Sequence, residues 1–218
     1  ISQKIKQQAY KMVSSNAIRI QVSPKDPVSK NVNHQIVFVE MDDKRFFLKR
    51  LIEENKDNKF LVFVRTKVRA ERVVAAMERA NISCEALHGG IDQDLRFAIL
   101  ERFRKGENTI LITTDVACRG IDIPSMDYVV NYGLPENPEN YVHRCGRTGR
   151  GNNKGHALSF CAENESVLLE EIEKYTGHEI EVFDLRPEDY HAIVGESESH
   201  DKNWKKLLSD NDNPESWD

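Results

Sequence analysis

The sequence predicts an α/β domain built on a mostly parallel sheet of about six to seven strands. Short apolar runs rich in β-branched residues recur along most of its 218 residues. Segments with apolar side chains every three or four positions lie between those runs, as amphipathic helices require. Strands and helices that alternate at this spacing are typical of a parallel sheet with helices on both faces. The apolar content of 39% is enough for the core of one such domain with extensions.

Six apolar runs predict the strands: Ile36–Glu40, Phe60–Val64, Cys84–Leu87, Thr109–Thr113, Tyr128–Tyr132 and His156–Cys161. Three segments between them predict helices with one apolar face: residues 43–55, 67–79 and 92–104. A further short helix is predicted to begin at Asn137-Pro138 and to run toward Arg144. Asparagine is a favoured helix N-cap, and proline is tolerated at the first helical position.

The two ends of the chain differ from this central pattern. Residues 1–24 combine a polar helical segment, a strand at 17–22 and a linker rich in proline and turn formers. Residues 25–185 carry the alternating pattern. Residues 186–218 hold four basic and nine acidic side chains, which predicts an acidic and largely disordered tail. Within this tail, Trp204, Leu207 and Leu208 lie at helical spacing.

Composition narrows the possible functions. Net charge is −5, which equals the charge balance of residues 186–218 alone, so the rest of the chain is about neutral. A nearly neutral domain can still bind nucleic acid if its arginines lie on one face. No apolar run approaches the roughly 18–20 residues of a membrane span, and the first residues lack a signal-peptide pattern, so we expect no membrane partner.

The four cysteines lack C-x-x-C spacing. We therefore expect buried thiols, no metal site and a cytoplasmic protein.

Residues suited to phosphate binding follow four of the predicted strands. Ligands of open parallel sheets bind at the carboxyl ends of the strands. Helix starts there can offer free backbone N–H groups, arginines offer forked donors, and glycines allow a close approach of the backbone. The four segments are Arg65–Lys67; His88-Gly89 followed by Gln93 and Arg96; Thr114 and Asp115 followed by Arg119, Gly120 and Asp122; and Tyr141–Arg150.

Each of these residues also has a purely structural explanation. Thr66 and Thr114 can be ordinary helix N-caps, since threonine is favoured there. His88 alone is typical of a structural histidine, and Gln93 with Arg96 can form a solvated helix face. What favours a functional site is the conjunction of four such segments, each at a strand end or on the helix that follows.

Together these segments resemble the successive motifs of the C-terminal domain of DEAD-box RNA helicases. The resemblance covers roughly residues 30–183, and within the family it is greatest for the bacterial RhlE-like group. Residues 1–22 resemble the end of the first domain of the family. The matching segments are Leu61–Thr66, His88-Gly89 with Gln93-x-x-Arg96, Thr114–Asp122 and His143–Arg150. Cys118, Cys145 and Thr113 depart from the usual residues, but none of these positions has a charge role.

The resemblance implies a RecA-like three-layer sandwich and a role for each motif residue. Arg147 and Arg150 resemble the arginine fingers, which stabilise charge on a transferring phosphoryl group. Gly120 and Asp122 resemble the nucleotide contacts, with Asp122 on the ribose. The implied RNA contacts are Thr66, Arg96, Thr114 and Asp115, and the implied coupling residues are Gln93, Arg119, His143 and Arg144. Contacts to the RNA backbone carry no base information, so binding is expected to be sequence-nonspecific.

Two family motifs are absent from the sequence. It contains neither a G-x-x-x-x-G-K-[ST] phosphate loop nor an Asp-Glu-Ala-Asp segment. Both belong to the first domain in this family, so ATP and Mg²⁺ are expected to be held mainly there, and this fragment is expected to hold neither and to be inactive as an ATPase alone. Two alternatives stay open: a non-catalytic RNA-binding protein with this fold, and a helicase that acts on DNA.

Overall fold

The computed structural model describes residues 8, 11–12, 29–118, 121, 123, 126–149, 151 and 153–195. The strands are β1 (Val32–Phe38), β2 (Phe60–Phe63), β3 (Glu85–Leu87), β4 (Ile110–Thr113), β5 (Tyr128–Asn131), β6 (Gly155–Cys161) and β7 (Glu181–Val182). The helices are α1 (Lys44–Glu54), α2 (Lys67–Arg79), α3 (Gln93–Lys105), α4 (Asp115–Cys118), α5 (Pro138–Cys145) and α6 (Ser166–Thr176). A 3₁₀ turn, Glu163–Glu165, precedes α6, and residues 187–195 are also helical.

The strands form one sheet in the order β3-β4-β2-β5-β6-β1-β7. All of its strand pairings are parallel. β2 lies near the middle, with Phe60 paired to Ile110 of β4 on one side and to Tyr128 of β5 on the other. The predicted α/β class with helices on both faces is therefore confirmed. All the carboxyl ends meet at one edge of this sheet, as the site prediction requires.

Apolar side chains cover both faces of the central strands. On one face α1 and α2 form a core with residues 185–194. On the other face α3 and α4 cover β2 and β4, while α5 and α6 cover β1 and β6. Strands enclosed in this way are nearly continuous apolar runs, and each residue of β2 and β4 is buried, including Thr113 at the end of β4.

The helix ends follow local chemistry. Thr66 caps α2 by accepting from Arg69 N at 3.2 Å, and Asn137 caps α5 by accepting from Glu139 N at 2.9 Å. Gly106 and Gly177 end α3 and α6 with φ of 77° and 75°, the left-handed conformation that favours glycine. The predicted helices agree with the observed bounds to within one residue at each end.

Five predicted strands agree with the observed bounds to within one residue at each end, and two strands differ by more. β1 begins at Val32, four residues before the predicted start, because Asn33 and Gln35 face a partly open groove and interrupt the apolar run. β7 was not predicted; it has two residues, both exposed, and so carries no hydrophobic signal. Within the described ranges, no helix has the length and apolarity needed to cross a bilayer.

Residues 187–195, at the start of the predicted acidic tail, form a helix that packs against α1. The Tyr190 ring lies 5.0 Å from that of Phe47, and its hydroxyl donates to Asp43 Oδ2 at 2.7 Å. The acidic composition of this segment hides an apolar stripe of Tyr190, Ile193 and Val194. Residues 196–218 lie outside the described residues, as do nearly all of residues 1–28, so the predicted domain boundaries stay predictions.

A buried ion pair joins α1 to the 3₁₀ turn after β6. The Lys44 ammonium is 0% exposed; it donates to Glu165 Oε2 and, at 3.0 Å, to the carbonyl of Phe160. Glu165 also accepts from Ala162 N at 3.1 Å, and the Arg65 guanidinium lies 3.6 Å away. Burial lowers the pKa of Lys44, and the neighbouring carboxylate opposes that shift. Each charge therefore depends on the other to remain inside the protein.

The ion pair of Lys44 and Glu165 predicts a large loss of stability when only one of the two charges is removed. Lys44→Met should lower the free energy of unfolding by about 3–5 kcal/mol, because the buried Glu165 charge keeps only the more distant and exposed Arg65 as a partner. Lys44→Met combined with Glu165→Gln should recover much of that loss, which urea unfolding followed by circular dichroism can measure. Lys49→Met is the control, since Lys49 lies on the same helix and its ion pair with Glu53 is partly exposed. Equal losses from the two lysine variants would contradict the prediction.

Candidate functional site

A cavity of about 230 Å³ lies at the carboxyl ends of β2 and β4, beside α5. It brings together four of the predicted site residues: Asp115, His143, Arg144 and Arg147. Phe63, Cys118 and Asn140 complete the lining. The motif that follows β4 and the motif on α5, which lie far apart in the sequence, therefore meet at one place.

Arg144 is the central side chain of this cavity. It is 1% exposed, and its Nε and Nη2 groups donate to the two carboxylate oxygens of Asp115, each at 2.7 Å. Its Nη1 donates to Asn131 Oδ1 at 3.1 Å and to the carbonyl of Gly133 at 2.9 Å. The guanidinium carbon lies 5.1 Å from the centre of the Phe63 ring. One buried cation thus joins α5 to the ends of β2, β4 and β5.

The surroundings of Arg144 are themselves fixed. Asn131 donates from Nδ2 to Ser159 Oγ at 3.1 Å, so its oxygen is directed toward Arg144. Asp115 is the first residue of α4, and its carboxylate pairs with Arg144. The predicted RNA contact by Asp115 stays a prediction, but in this structure both of its carboxylate oxygens already serve the ion pair.

Arg147 lies just beyond the end of α5 and is half-buried. Its backbone N–H donates to the carbonyl of Arg144 at 3.0 Å, and its carbonyl accepts from Met126 N at 3.1 Å. His143 is exposed on α5 and lines the same cavity. The backbone that carries Arg147 is therefore tied to Arg144 on one side and to the start of β5 on the other.

Gly149 in the same motif has a packing role. Its φ is 63°, and a Cβ there would lie 2.6 Å from Val32 Cγ2 and 3.0 Å from the carbonyl oxygen of Asn31. The loop after α5 is thus pressed against the start of β1, which only glycine permits. Gly146 has an ordinary φ of −67° and simply follows the last residue of α5.

Apart from Asp115, the residues predicted to contact RNA lie outside the lining of this cavity. Thr66 caps α2, so its structural explanation holds. Gln93 begins α3 and is exposed. Arg96, one turn later, is half-buried and donates to the carbonyl of Ala117 in α4. Thr114 is buried directly before α4. Arg96 therefore fixes α4 to α3, and this contact is compatible with either the structural or the functional interpretation.

Four other predicted site residues lie outside the described residues: Arg119, Gly120, Asp122 and Arg150. The roles that the resemblance implies for them stay predictions. All four cysteines are buried thiols, as predicted. Burial raises the pKa of Cys145 to about 12, so its thiol remains protonated beside Arg144.

Sequence reasoning missed two groups near the site. The first is the ion pair of Lys44 and Glu165, together with the nearby Arg65. The Nε group of Arg65 also donates to the carbonyl of Leu134 at 3.1 Å. The second is His34 of β1, whose Nδ1 lies 2.9 Å from the hydroxyl of Tyr141 in α5. A signal for His34 existed, because it lies between the buried residues Val32 and Ile36 on one face of a strand.

Comparison with known proteins identifies the family. The model of the helicase conserved C-terminal domain matches residues 43–152, half of the chain. The chain is 38% identical over 182 residues to the ATP-dependent RNA helicase RhlB of Shewanella amazonensis. The aligned region covers 84% of this chain and 41% of that protein. It is 37% identical over 166 residues to the ATP-dependent RNA helicase DbpA of Bacillus subtilis, covering 76% and 35%. The chain thus spans less than half the length of these relatives.

Solved structures give the same result. Saccharomyces cerevisiae Dbp5 bound to RNA and ADP BeF3 superimposes with a TM-score of 0.74 at 29% identity, over 92% of this chain and 53% of Dbp5. Domain 2 of the DEAD-box helicase Mss116p bound to an RNA duplex gives 0.61 at 27% identity, over 73% of this chain and 68% of that chain.

A parallel sheet with an arginine-lined cavity at its carboxyl edge, together with these superpositions, defines a RecA-like α/β domain. The chain belongs to the helicase conserved C-terminal domain family, and its relatives make it the C-terminal domain of a DEAD-box RNA helicase. The RhlE-like subgroup stays a prediction.

The contact between His34 and Tyr141 predicts a pH dependence of stability. Burial lowers the pKa of His34 from 6.5 to about 4, so the folded chain keeps the imidazole neutral. Between these values the unfolded chain binds the proton and the folded chain does not. The free energy of unfolding should therefore fall by up to about 3 kcal/mol as pH decreases through this window.

Urea unfolding of the chain and of its His34→Gln variant between pH 7 and pH 4 measures this effect. Glutamine can keep a hydrogen bond to Tyr141 but does not titrate, so the difference between the two curves isolates the histidine. Parallel curves would mean that His34 does not cause the acid-sensitive part of the stability.

Proposed function

We propose that this chain is the second RecA-like half of an ATP-dependent RNA helicase that unwinds or remodels RNA duplexes. Its partner in this activity is the first RecA-like domain of the same protein, and ATP binds between the two. The observation that carries the proposal is the cavity in which Arg147 and His143 lie beside the Arg144–Asp115 ion pair. Its buried cysteines favour a reducing compartment such as the cytoplasm.

The residues of the cavity suit a nucleotide phosphate. Asp115 already neutralises Arg144, so among the described residues of the lining no further acid matches the charge of Arg147. Guanidinium groups bind phosphate oxygens through paired N–H donors. Bound ATP would supply the γ-phosphoryl group, on whose oxygens charge accumulates during transfer. Arg147, with Arg150 as its predicted companion, stabilises that charge. Gly120 and Asp122 hold the nucleotide by the same resemblance, and the first domain provides the phosphate loop and the Mg²⁺ ligands.

RNA binds at the neighbouring strand ends through its backbone. Thr66, Arg96, Thr114 and Asp115 contact phosphates or sugars, so binding does not depend on base sequence. Domain 2 of Mss116p bound to an RNA duplex, and Dbp5 bound to RNA and ADP BeF3, support an RNA-binding role for a domain of this fold. Gln93, Arg119, His143 and Arg144 couple the RNA and ATP regions of the site.

The arginine finger is tested in the full-length protein. Arg147→Ala, and separately Arg150→Ala, should lower kcat for RNA-stimulated ATP hydrolysis by roughly 10³-fold or more, because transition-state charge loses its donors. RNA affinity should change little. Steady-state ATPase assays and fluorescence anisotropy with labelled RNA measure the two effects. Arg104→Ala is the control, since Arg104 is an exposed arginine on α3 paired with Glu101. Turnover near wild type in Arg147→Ala would refute the assignment.

A second test concerns this chain by itself. Arginine fingers stabilise a transition state but do not hold the nucleotide in place, and the sequence lacks a phosphate loop. The purified chain should therefore show no RNA-stimulated ATPase activity above a mock purification from the same host. Turnover that co-purifies with the chain through several columns would show that it holds ATP without the first domain.

A further inference from the structure

A larger groove of about 580 Å³ lies over β1, β6 and the start of β5, and it reaches the edge of the sheet opposite to the carboxyl-end cavity. One wall is α1, from Phe47 to Glu54, and the other is formed by residues 183–193. We name it the amino-end groove, because it opens where these strands begin. The carboxyl-end cavity and the proposed helicase function do not use it.

The floor of the groove is aromatic. The rings of Tyr128 and His156 stack at 4.9 Å with an angle of 18°, and Phe60 continues the stack behind Tyr128 at 5.0 Å and 16°. His156 is exposed at the groove end of this stack. Leu51 and Phe183 add apolar surface on either side, with Phe183 49% exposed. A flat aromatic side chain can stack on such a surface and remove it from water.

The rim of the groove is acidic. Three carboxylates line it, Glu54, Asp184 and Asp189, against one arginine, Arg50. Arg50 pairs with Glu54 at 2.6 Å, and Asp189 pairs with Arg186 at 2.8 Å. Asp184 is exposed and has no ion-pair partner in the part of the chain that the structure describes. The groove therefore suits a segment that combines an aromatic ring with lysines.

One segment of the chain has this composition. Residues 202–208 read Lys-Asn-Trp-Lys-Lys-Leu-Leu and hold every lysine and arginine that follows Arg186. Acidic residues precede and follow them, so this basic and apolar cluster is the exception in an otherwise acidic tail. The chain has two tryptophans, Trp204 and Trp217, and both come after the last described residue, Gly195.

We propose that residues 202–208 of this chain bind in the amino-end groove, with Trp204 against the Tyr128–His156 stack and the lysines beside the acidic rim. Ala192 and Ile193, just before the tail, already line the groove. The nine residues from Gly195 to Trp204 can span at most about 30 Å, which suffices to reach across one wall of the groove. A tether of this length gives a millimolar effective concentration, so individually weak contacts are enough for occupancy.

Tryptophan fluorescence tests the proposal on the full chain. With Trp217→Phe, Trp204 becomes the single tryptophan, and its emission and quenching by acrylamide report its environment. In this parent chain, Trp204 should emit at shorter wavelength than in urea and be protected from acrylamide. Ala192→Arg places a long cation in the groove and should move both readouts toward the urea values. His191→Arg is the matched control: it puts the same residue on the same helix outside the lining, and protection should persist.

A second variant keeps the test decisive if Ala192→Arg impairs folding, which thermal melting would reveal. Asp184→Lys reverses an exposed rim charge and should also reduce the protection of Trp204. An accessible Trp204 in the parent chain, or full protection in both groove variants, would overturn the proposal. Protection that increases with protein concentration would overturn it as well, because a second copy would then occupy the groove.

Discussion

The ion pair between the buried Arg144 and the partly exposed Asp115 is the interaction on which the carboxyl-end cavity depends. A guanidinium with 1% exposure is stable only if its donors are satisfied, because desolvation of an unpaired charge costs several kcal/mol. Asp115, Asn131 and Gly133 satisfy all three of its nitrogens. Each acceptor belongs to a different part of the strand edge, so α5 has one orientation in which every bond forms. Arg147 takes its position from that orientation.

In the proposed function, the same ion pair links two tasks. Asp115 follows Thr114 at the end of β4, on the side where RNA contacts are expected, and Arg144 lies one turn before Arg147, on the ATP side. A shift of α4 that broke the bidentate contact would leave buried donors unpaired, at a cost of about 1–3 kcal/mol for each group. A joint movement of α4 and α5 keeps this contact and so avoids that cost. In the proposed function, a shift of the RNA-contacting residues therefore also shifts Arg147.

Much of this arrangement was predictable from sequence, because it follows from local patterns. The spacing of apolar residues gave the bounds of α1, α2 and α3, and Asn137-Pro138 gave the start of α5. The partners of the charged residues were not predictable in this way. Lys44 and Glu165 are separated by 121 positions, and each reads as a surface charge within its own helical segment. Only the register of β1 beside β6 brings them together, and that register is set by the whole sheet.

The two edges of the sheet differ in a way that follows from the parallel topology. Helices that follow the strands begin at the carboxyl edge, so positive helix ends collect there and favour negative ligands. Buried cations at such an edge need carboxylate partners to keep a fixed geometry. The partly exposed Asp115 is the partner of Arg144, and the buried Glu165 is the partner of Lys44. The same helices end at the amino edge, where their negative ends favour positive groups. The groove at this edge is lined by the Tyr128–His156 stack and an acidic rim, so its surface suits aromatic and basic protein segments while the carboxyl edge suits phosphates. In the two proposals taken together, the ligands of one sheet lie at opposite edges and do not compete for the same surface.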